Sequence, residues 1–362
     1  MPRRMDQGRG NARPGKPVPF RPQDDPNGGP PMTHSPLTRR RLLQGGTAGL
    51  ALGLSGLSPH AARAQEAVAL QLSWLHSVQF AGSYIALQNG WWREAGLDVS
   101  LLQGGPNAPV EPPVVAGTAL VGISAADYAA AAVAQGAPFR IIGVAMQKNP
   151  FAIASLPGNP VETPADLPGK SIGMAIANTP VLQALCRLNG VDFDAIRIVP
   201  TQYTAQPLVA AEVDCLLCWE TDLPVAMAIQ GIEARTMLMA DHGYALHSQT
   251  YIATEDSLAR RRDALVALMA GEARGWETCR ADSDAAAELT VAMFPDAGLD
   301  LPTQKLQARR QLPLMFSDLT ERHGFGWWSD EAVEANIRTL ALLGREVTPA
   351  LWDRSILEAV HA

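Results

Sequence analysis

Past residue 65 the chain alternates short apolar strands with helical segments, and it does so in two successive series. Ala67–Ser73 alternates apolar and polar side chains and reads as a strand. Val78–Asn89 reads as a helix closed by Gly90, Asp98–Gln103 as a strand, Leu120–Ile123 as a strand, Ala125–Gln135 as a helix stopped by Gly136, and Phe139–Val144 as a strand. A breaker cluster, Leu156-Pro157-Gly158-Asn159-Pro160, then interrupts the pattern. The second series has strands at Ser171–Ala175, Ile196–Val199, Val213–Cys218 and Thr236–Met239, with helices at Pro180–Asn189, Ala205–Ala211 and Leu223–Gln230 between them. Gln249–Thr254 reads as one more strand, and from Glu255 onward nearly all is helical, broken at Pro295–Pro302 and Gly324–Gly326. Alternation of this kind predicts α/β architecture with parallel sheets. Two series joined by crossings at Leu156–Pro160 and Asp241–Ser248 predict a discontinuous lobe (65–156 and 249–362) bracketing a continuous one (157–248). In such sheets a ligand sits in the cleft, at strand carboxyl ends and helix amino ends.

Residues 1–64 have a different character. They hold ten basic and three acidic residues, a charge of +7, which leaves −14 on the rest. Residues 1–37 are rich in Pro, Gly and Arg without a period that buries a face, and read as a disordered leader. Thr38-Arg39-Arg40-Arg41-Leu42-Leu43, an uncharged Gly/Ala/Leu run from Gly45 to Leu57, and the small-x-small site Ala62-Arg63-Ala64 read together as a twin-arginine signal peptide over 38–64. The run is too short to cross the ~30 Å of a bilayer core as a helix. With no cysteine near the cut to carry a lipid, the expectation is an unanchored periplasmic protein. The acidic remainder excludes DNA or RNA as the expected partner, because phosphate binding needs a basic face.

Most catalytic signatures are missing. Gly169-Lys170-Ser171 ends like a phosphate loop, but Pro164 stands where the first glycine belongs. Cys215 and Cys218 have CxxC spacing at the end of an apolar strand, with no second pair and no following histidine, so buried thiols are expected rather than a metal site or a haem attachment. Beyond residue 65 there are only three lysines, Lys148, Lys170 and Lys305, a poor supply for Schiff-base chemistry. No cofactor and no metal are expected. The candidates for solute binding are residues at strand-to-helix junctions: Trp74 and His76 after the first strand, Ser124 and Tyr128 around the third, and Asn178 and Thr179 at a helix start. Tyr203, Trp219 and Glu220 complete the set. Indole and phenol rings with one carboxylate suit a flat, nitrogen-rich ring, stacked on its faces and hydrogen-bonded through its N–H groups. Trp74 and Trp219 read equally as core aromatics, and Glu220 as a helix-start acid near the dipole.

Three stretches carry a resemblance: Leu72-Ser73-Trp74, the run Gln79-Phe80-Ala81-Gly82-Ser83-Tyr84-Ile85-Ala86-Leu87, and Asn89-Gly90-Trp91-Trp92-Arg93-Glu94-Ala95-Gly96-Leu97-Asp98-Val99. With Asp166-Leu167-Pro168-Gly169-Lys170-Ser171-Ile172-Gly173 they resemble the SsuA/THI5-like (NMT1/THI5) substrate-binding proteins, over essentially all of the chain beyond residue 65. The resemblance implies a two-lobed periplasmic-binding-protein (type 2) fold with a helical C-terminal part. It implies a monomer that delivers a small solute to the permease of an ABC importer. The family spans sulfonates, nitrate, thiamine pyrimidine precursors and flavin-like solutes; the Trp74 neighbourhood and the C-terminal helices look most like the pyrimidine and flavin branch. No Lys or Arg falls at the predicted junctions, which disfavours an anionic solute. The family also holds thiamine pyrimidine synthases that use a lysine-bound pyridoxal phosphate, a histidine and iron. Here Ser124 stands where that lysine is expected and Tyr128 where the histidine is, so a binding protein rather than an enzyme is expected.

Overall fold

The computed structural model describes residues 65–362, so the leader, signal and cleavage-site expectations for 1–64 lie outside the described residues. The first sheet contains β1 (Glu66–Gln71), β2 (Leu97–Leu102), β3 (Val121–Ala125), β4 (Phe139–Met146) and β10 (Ser248–Thr254), in the order β2-β1-β3-β10-β4. The second contains β5 (Phe151–Ser155), β6 (Ser171–Met174), β7 (Arg197–Pro200), β8 (Cys215–Trp219) and β9 (Arg235–Leu238), in the order β7-β6-β8-β5-β9. Helices cover the sheets, giving the two-lobed α/β fold of periplasmic binding proteins.

Two expectations need correcting. The sheets are mixed, not wholly parallel: β10 runs antiparallel to both β3 and β4, and β5 antiparallel to both β8 and β9. Neither strand is entered through a crossover helix, so neither is bound to the parallel direction. The first crossing also comes before Leu156–Pro160. It lies between Met146 and Phe151, because Phe151–Ser155 is a central strand of the second sheet, in register with Trp219 to Cys215 of β8. The return crossing lies between Leu238 and Ser248. The two crossings run side by side. Buried Asn149 donates through Nδ2 to the Leu246 carbonyl (2.8 Å), and Lys148 pairs with Asp241 (2.7 Å).

In the first lobe the helix Ala81–Gln88 lies against the long helix Arg262–Ala281 at unusually close range. A Cβ at Gly275 would sit 2.0 Å from the Gly82 carbonyl oxygen, and one at Gly82 would meet the Trp276 indole at 2.4 Å. Only glycine at both positions lets the backbones approach. The indole of Trp92 then donates to the Leu268 carbonyl (2.9 Å) across the same packing. Among the described residues, no helix is long and apolar enough to cross a membrane.

The helix Leu301–Met315 joins the two lobes. Its Gln304 accepts from the Val78 N–H (2.7 Å), and its Gln311 donates to the Val78 carbonyl (2.9 Å), both in the first lobe. From the same helix Gln307 reaches Asp222 (3.3 Å) and Arg310 reaches Glu220 (2.8 Å), both in the second.

Candidate functional site

The site begins where β1 ends. Ser73–Ser77 leaves the strand without helical structure, and the loop after β2 passes tightly beneath it. A Cβ at Gly104 would lie 2.3 Å from the Leu72 carbonyl oxygen, and the Gly104 N–H donates to the Trp74 carbonyl (3.1 Å). This support holds a segment whose large side chains face solvent. Trp74 is 47% exposed. His76 is anchored on two sides: its ring stacks on Phe294 (centroids 3.8 Å, interplanar 9°), and its Nδ1 lies 3.0 Å from the Tyr84 hydroxyl. Phe294 reaches this position because the helix Ser283–Met293 stops there, before Pro295. Gln79 follows in the 3-10 turn Val78–Phe80.

The second lobe supplies the facing groups. Tyr203 accepts the Trp219 N–H at its hydroxyl oxygen (3.0 Å) and donates to Asp222 Oδ2 (3.1 Å). Asp222 Oδ1 accepts from the Gln307 carboxamide (3.3 Å). Burial is the larger influence on Asp222 and pushes its carboxyl up to about 6, although the Tyr203 hydrogen bond pulls the other way. Burial likewise raises the Tyr203 phenol, so it stays a neutral donor at any physiological pH.

Trp74, His76, Gln79, Tyr203, Asp222, Phe294 and Gln307 line one cavity of about 750 Å³ that opens to solvent. That volume falls within the range of small-molecule sites. Its walls mix aromatic and aliphatic side chains, and its polar groups include three carboxamides, two carboxylates (Asp222 and Asp296), His76, Ser77 and the Tyr203 phenol.

Of the nine candidates, the cavity brings together Trp74, His76 and Tyr203. Trp219 is not in the lining. It stands opposite Phe151 in the β5–β8 register, and the two rings pack edge to face at 6.2 Å. Glu220 is not in the lining either, because its Oε1 is held by Arg310. The second lobe thus gives the cavity a phenol and Asp222 rather than an indole and Glu220. Ser124 is buried at the end of β3 with its hydroxyl on Glu111 (2.5 Å), and Tyr128 is 65% exposed on the first turn of the helix Ala126–Ala134. Asn178 and Thr179 are half-buried at the start of the helix Thr179–Asn189, with the Thr179 hydroxyl donating to the Ile176 carbonyl. These four lie outside the cavity lining.

The sequence reading missed Gln79, Asp222, Phe294 and Gln307. Asp222 is the N-cap of the helix Leu223–Ile229 and looks like an ordinary cap. A signal for Gln307 does exist: Gln304, Gln307 and Gln311 recur at helical spacing and are all buried, which marks a polar row turned inward. Arg310 likewise brings a guanidinium to the cleft wall from a helix that no junction argument reaches.

Comparison with known proteins agrees with this architecture. A model of the NMT1/THI5-like family matches residues 77–286, and the chain belongs to that family. It is 23% identical over 277 residues to the riboflavin-binding protein RibY of Chloroflexus aurantiacus, covering 75% of this chain and 79% of that protein. It is 24% identical over 140 residues to the formylaminopyrimidine-binding protein of Halalkalibacterium halodurans, covering 38% of this chain and 42% of that one. Among solved structures, the periplasmic aliphatic sulphonate binding protein SsuA of Escherichia coli superposes with a TM-score of 0.58 at 17% identity, over 77% of this chain and 87% of that chain.

Proposed function

We propose that this chain is the solute-binding component of an ABC importer, exported to the periplasm, and that its solute is a planar nitrogen heterocycle of the flavin or aminopyrimidine kind. The observation that carries the reading is one cavity holding aromatic faces (Trp74, Tyr203, Phe294) together with a half-buried acceptor, Asp222. Aromatic rings stack on a flat guest, and a carboxylate accepts its N–H groups. The names of two relatives, a riboflavin-binding and a formylaminopyrimidine-binding protein, support the same class. An organic anion fits less well: it would meet Asp222 and Asp296, and Arg310 is already paired with Glu220. The cavity lining contains no lysine or cysteine, which favours binding over covalent catalysis of the synthase kind. In this reading the lobes close on the solute as a hinge at the two crossings, and the permease reads the closed form.

Calorimetric titration with riboflavin, an aminopyrimidine and an alkanesulfonate tests the reading. Heat is expected with a heterocycle and none with the sulfonate; tight sulfonate binding without heterocycle binding rejects it. Asp222 also sets a pH dependence. Its carboxyl is charged above about 6. Falling pH therefore removes the acceptor, and affinity for an N–H donor is expected to drop up to about tenfold per pH unit below that point. The Asp222→Asn variant is expected to bind more weakly at pH 8 and to lose that slope.

A further inference from the structure

Two polar side chains of the first lobe face the cavity without a partner that explains them. Gln79 is 8% exposed, yet among the described residues its carboxamide makes no hydrogen bond, and it is part of the cavity lining. The amide tip itself is not sealed off: it reaches solvent in the cavity, so a ligand entering there displaces water and meets its donor and acceptor. His76 is the second. Its Nδ1 is engaged by Tyr84, while its Nε2 makes no hydrogen bond among the described residues.

The His76 tautomer follows from its neighbour. Burial is the main influence on the Tyr84 phenol and drives it well up, so it keeps its proton. A hydroxyl that keeps its proton needs an acceptor, and among the described residues the polar partner of the Tyr84 hydroxyl is His76 Nδ1 (3.0 Å), to which it donates. Nδ1 is then the lone-pair nitrogen, and the ring proton sits on Nε2. Burial lowers the His76 pKa, and the stacked face of Phe294 offers no charge to oppose this, so the ring is neutral at pH 7. His76 therefore presents a fixed N–H donor. Gln79, three residues on, presents a C=O and an N–H side by side.

We infer that His76 and Gln79 form a donor–acceptor–donor edge that selects solutes with a lactam or imide, a ring carbonyl beside a ring N–H. Nε2–H of His76 meets one carbonyl, Oε1 of Gln79 accepts the N–H, and Nε2 of Gln79 meets a second carbonyl where there is one. Asp222 and Tyr203, from the opposite lobe, are left for exocyclic amines or hydroxyls. The inference rests on the heterocycle reading above and adds the group by which the ring is held.

The test compares riboflavin, an imide, with its N3-methyl derivative, by fluorescence quenching against the purified protein. Methylation removes the central N–H and strands the Gln79 acceptor. A loss of about 10- to 100-fold is expected, the usual cost of one buried unpaired polar group. Gln79→Leu is expected to weaken riboflavin by a similar factor and to bind both ligands alike. The ¹⁵N spectrum of the unliganded protein is expected to show His76 protonated on Nε2 alone, and Tyr84→Phe to give a mixture of tautomers. Riboflavin binding with less than a threefold methylation effect, or an Nδ1–H tautomer in the wild type, overturns the inference and leaves the heterocycle reading standing. Failure of every heterocycle to bind overturns both.

Discussion

Glu272 is a carboxyl group sealed inside the first lobe. One oxygen accepts the Tyr251 hydroxyl (2.7 Å), the other has no partner, and neither does the buried Ser83 hydroxyl. Burial is the main influence and pushes its pKa up to about 7 from the ordinary 4.5. The sign follows directly. Between pH 4.5 and 7 the folded protein holds a proton that the unfolded chain has released. Stability from this group is therefore greatest below pH 4.5 and is lost as pH rises, by at most about 1.4 kcal/mol per pH unit, until about 7. Glu272→Gln keeps the shape without the charge. Its melting temperature is expected to exceed the wild type's at pH 8 and to match it near pH 5; an unchanged pH profile in a scanning calorimeter rejects the assignment. The sequence hides this residue, because a lone acid on a long helix reads as a solvated face. The cysteines were easier to read. Cys215 packs with Leu217 on one face of β8 and Cys218 with Leu216 on the other, so the CxxC pair points apart and both thiols are free. Burial pushes the Cys215 thiol up to about 12.

The helices Ala81–Gln88 and Arg262–Ala281 illustrate how far pattern alone reaches. Periodicity identifies both, but their contact depends on Gly82 and Gly275, where any side chain would collide with an indole or with backbone. Gly275→Ala drives a methyl into the Gly82 carbonyl, a backbone atom that cannot swing aside. The expected cost is about 2–4 kcal/mol, read as a lower urea midpoint with unchanged slope. A shift below 0.5 kcal/mol means that the helices do not meet this closely. β5 was missed for a different reason. Phe151-Ala-Ile-Ala-Ser155 is short, with two alanines and a serine among its five residues, and it is held by neighbours on both sides. Its placement beside the breaker cluster shifted the expected boundary between the lobes.

Across the whole molecule, one of the links between the lobes is a helix. Leu301–Met315 is fastened to Val78 by Gln304 and Gln311, and it touches the second lobe through Gln307 and Arg310. Arg310 and Glu220 are mostly covered (side chains 32% and 20% exposed), and the second Glu220 oxygen is buried without a partner. Arg310→Met strands that carboxylate. The expected result is a loss of about 1–3 kcal/mol, smaller than for a fully buried pair because solvent still screens the arginine. A larger radius of gyration in unliganded solution scattering is also expected, as the lobes part. Adding Glu220→Gln to the variant is expected to recover part of the stability; if the double variant is no better than the single, the pair does not act as a clasp.

Local chemistry along the chain was enough to establish α/β alternation, the helical C-terminal part, and the junction after β1 that carries Trp74 and His76. Each of these depends on side-chain period or on a turn within a few residues, and short-range interactions make such signals strong. The antiparallel strands, the carboxylate that faces the cavity and the glutamine row that spans the cleft came from packing. Asp222 and Gln307 are 85 residues apart, and Val78 and Gln311 are 233 apart. No local pattern ties such distant residues together; their meeting is set by how the lobes and the late helix bury their faces against one another.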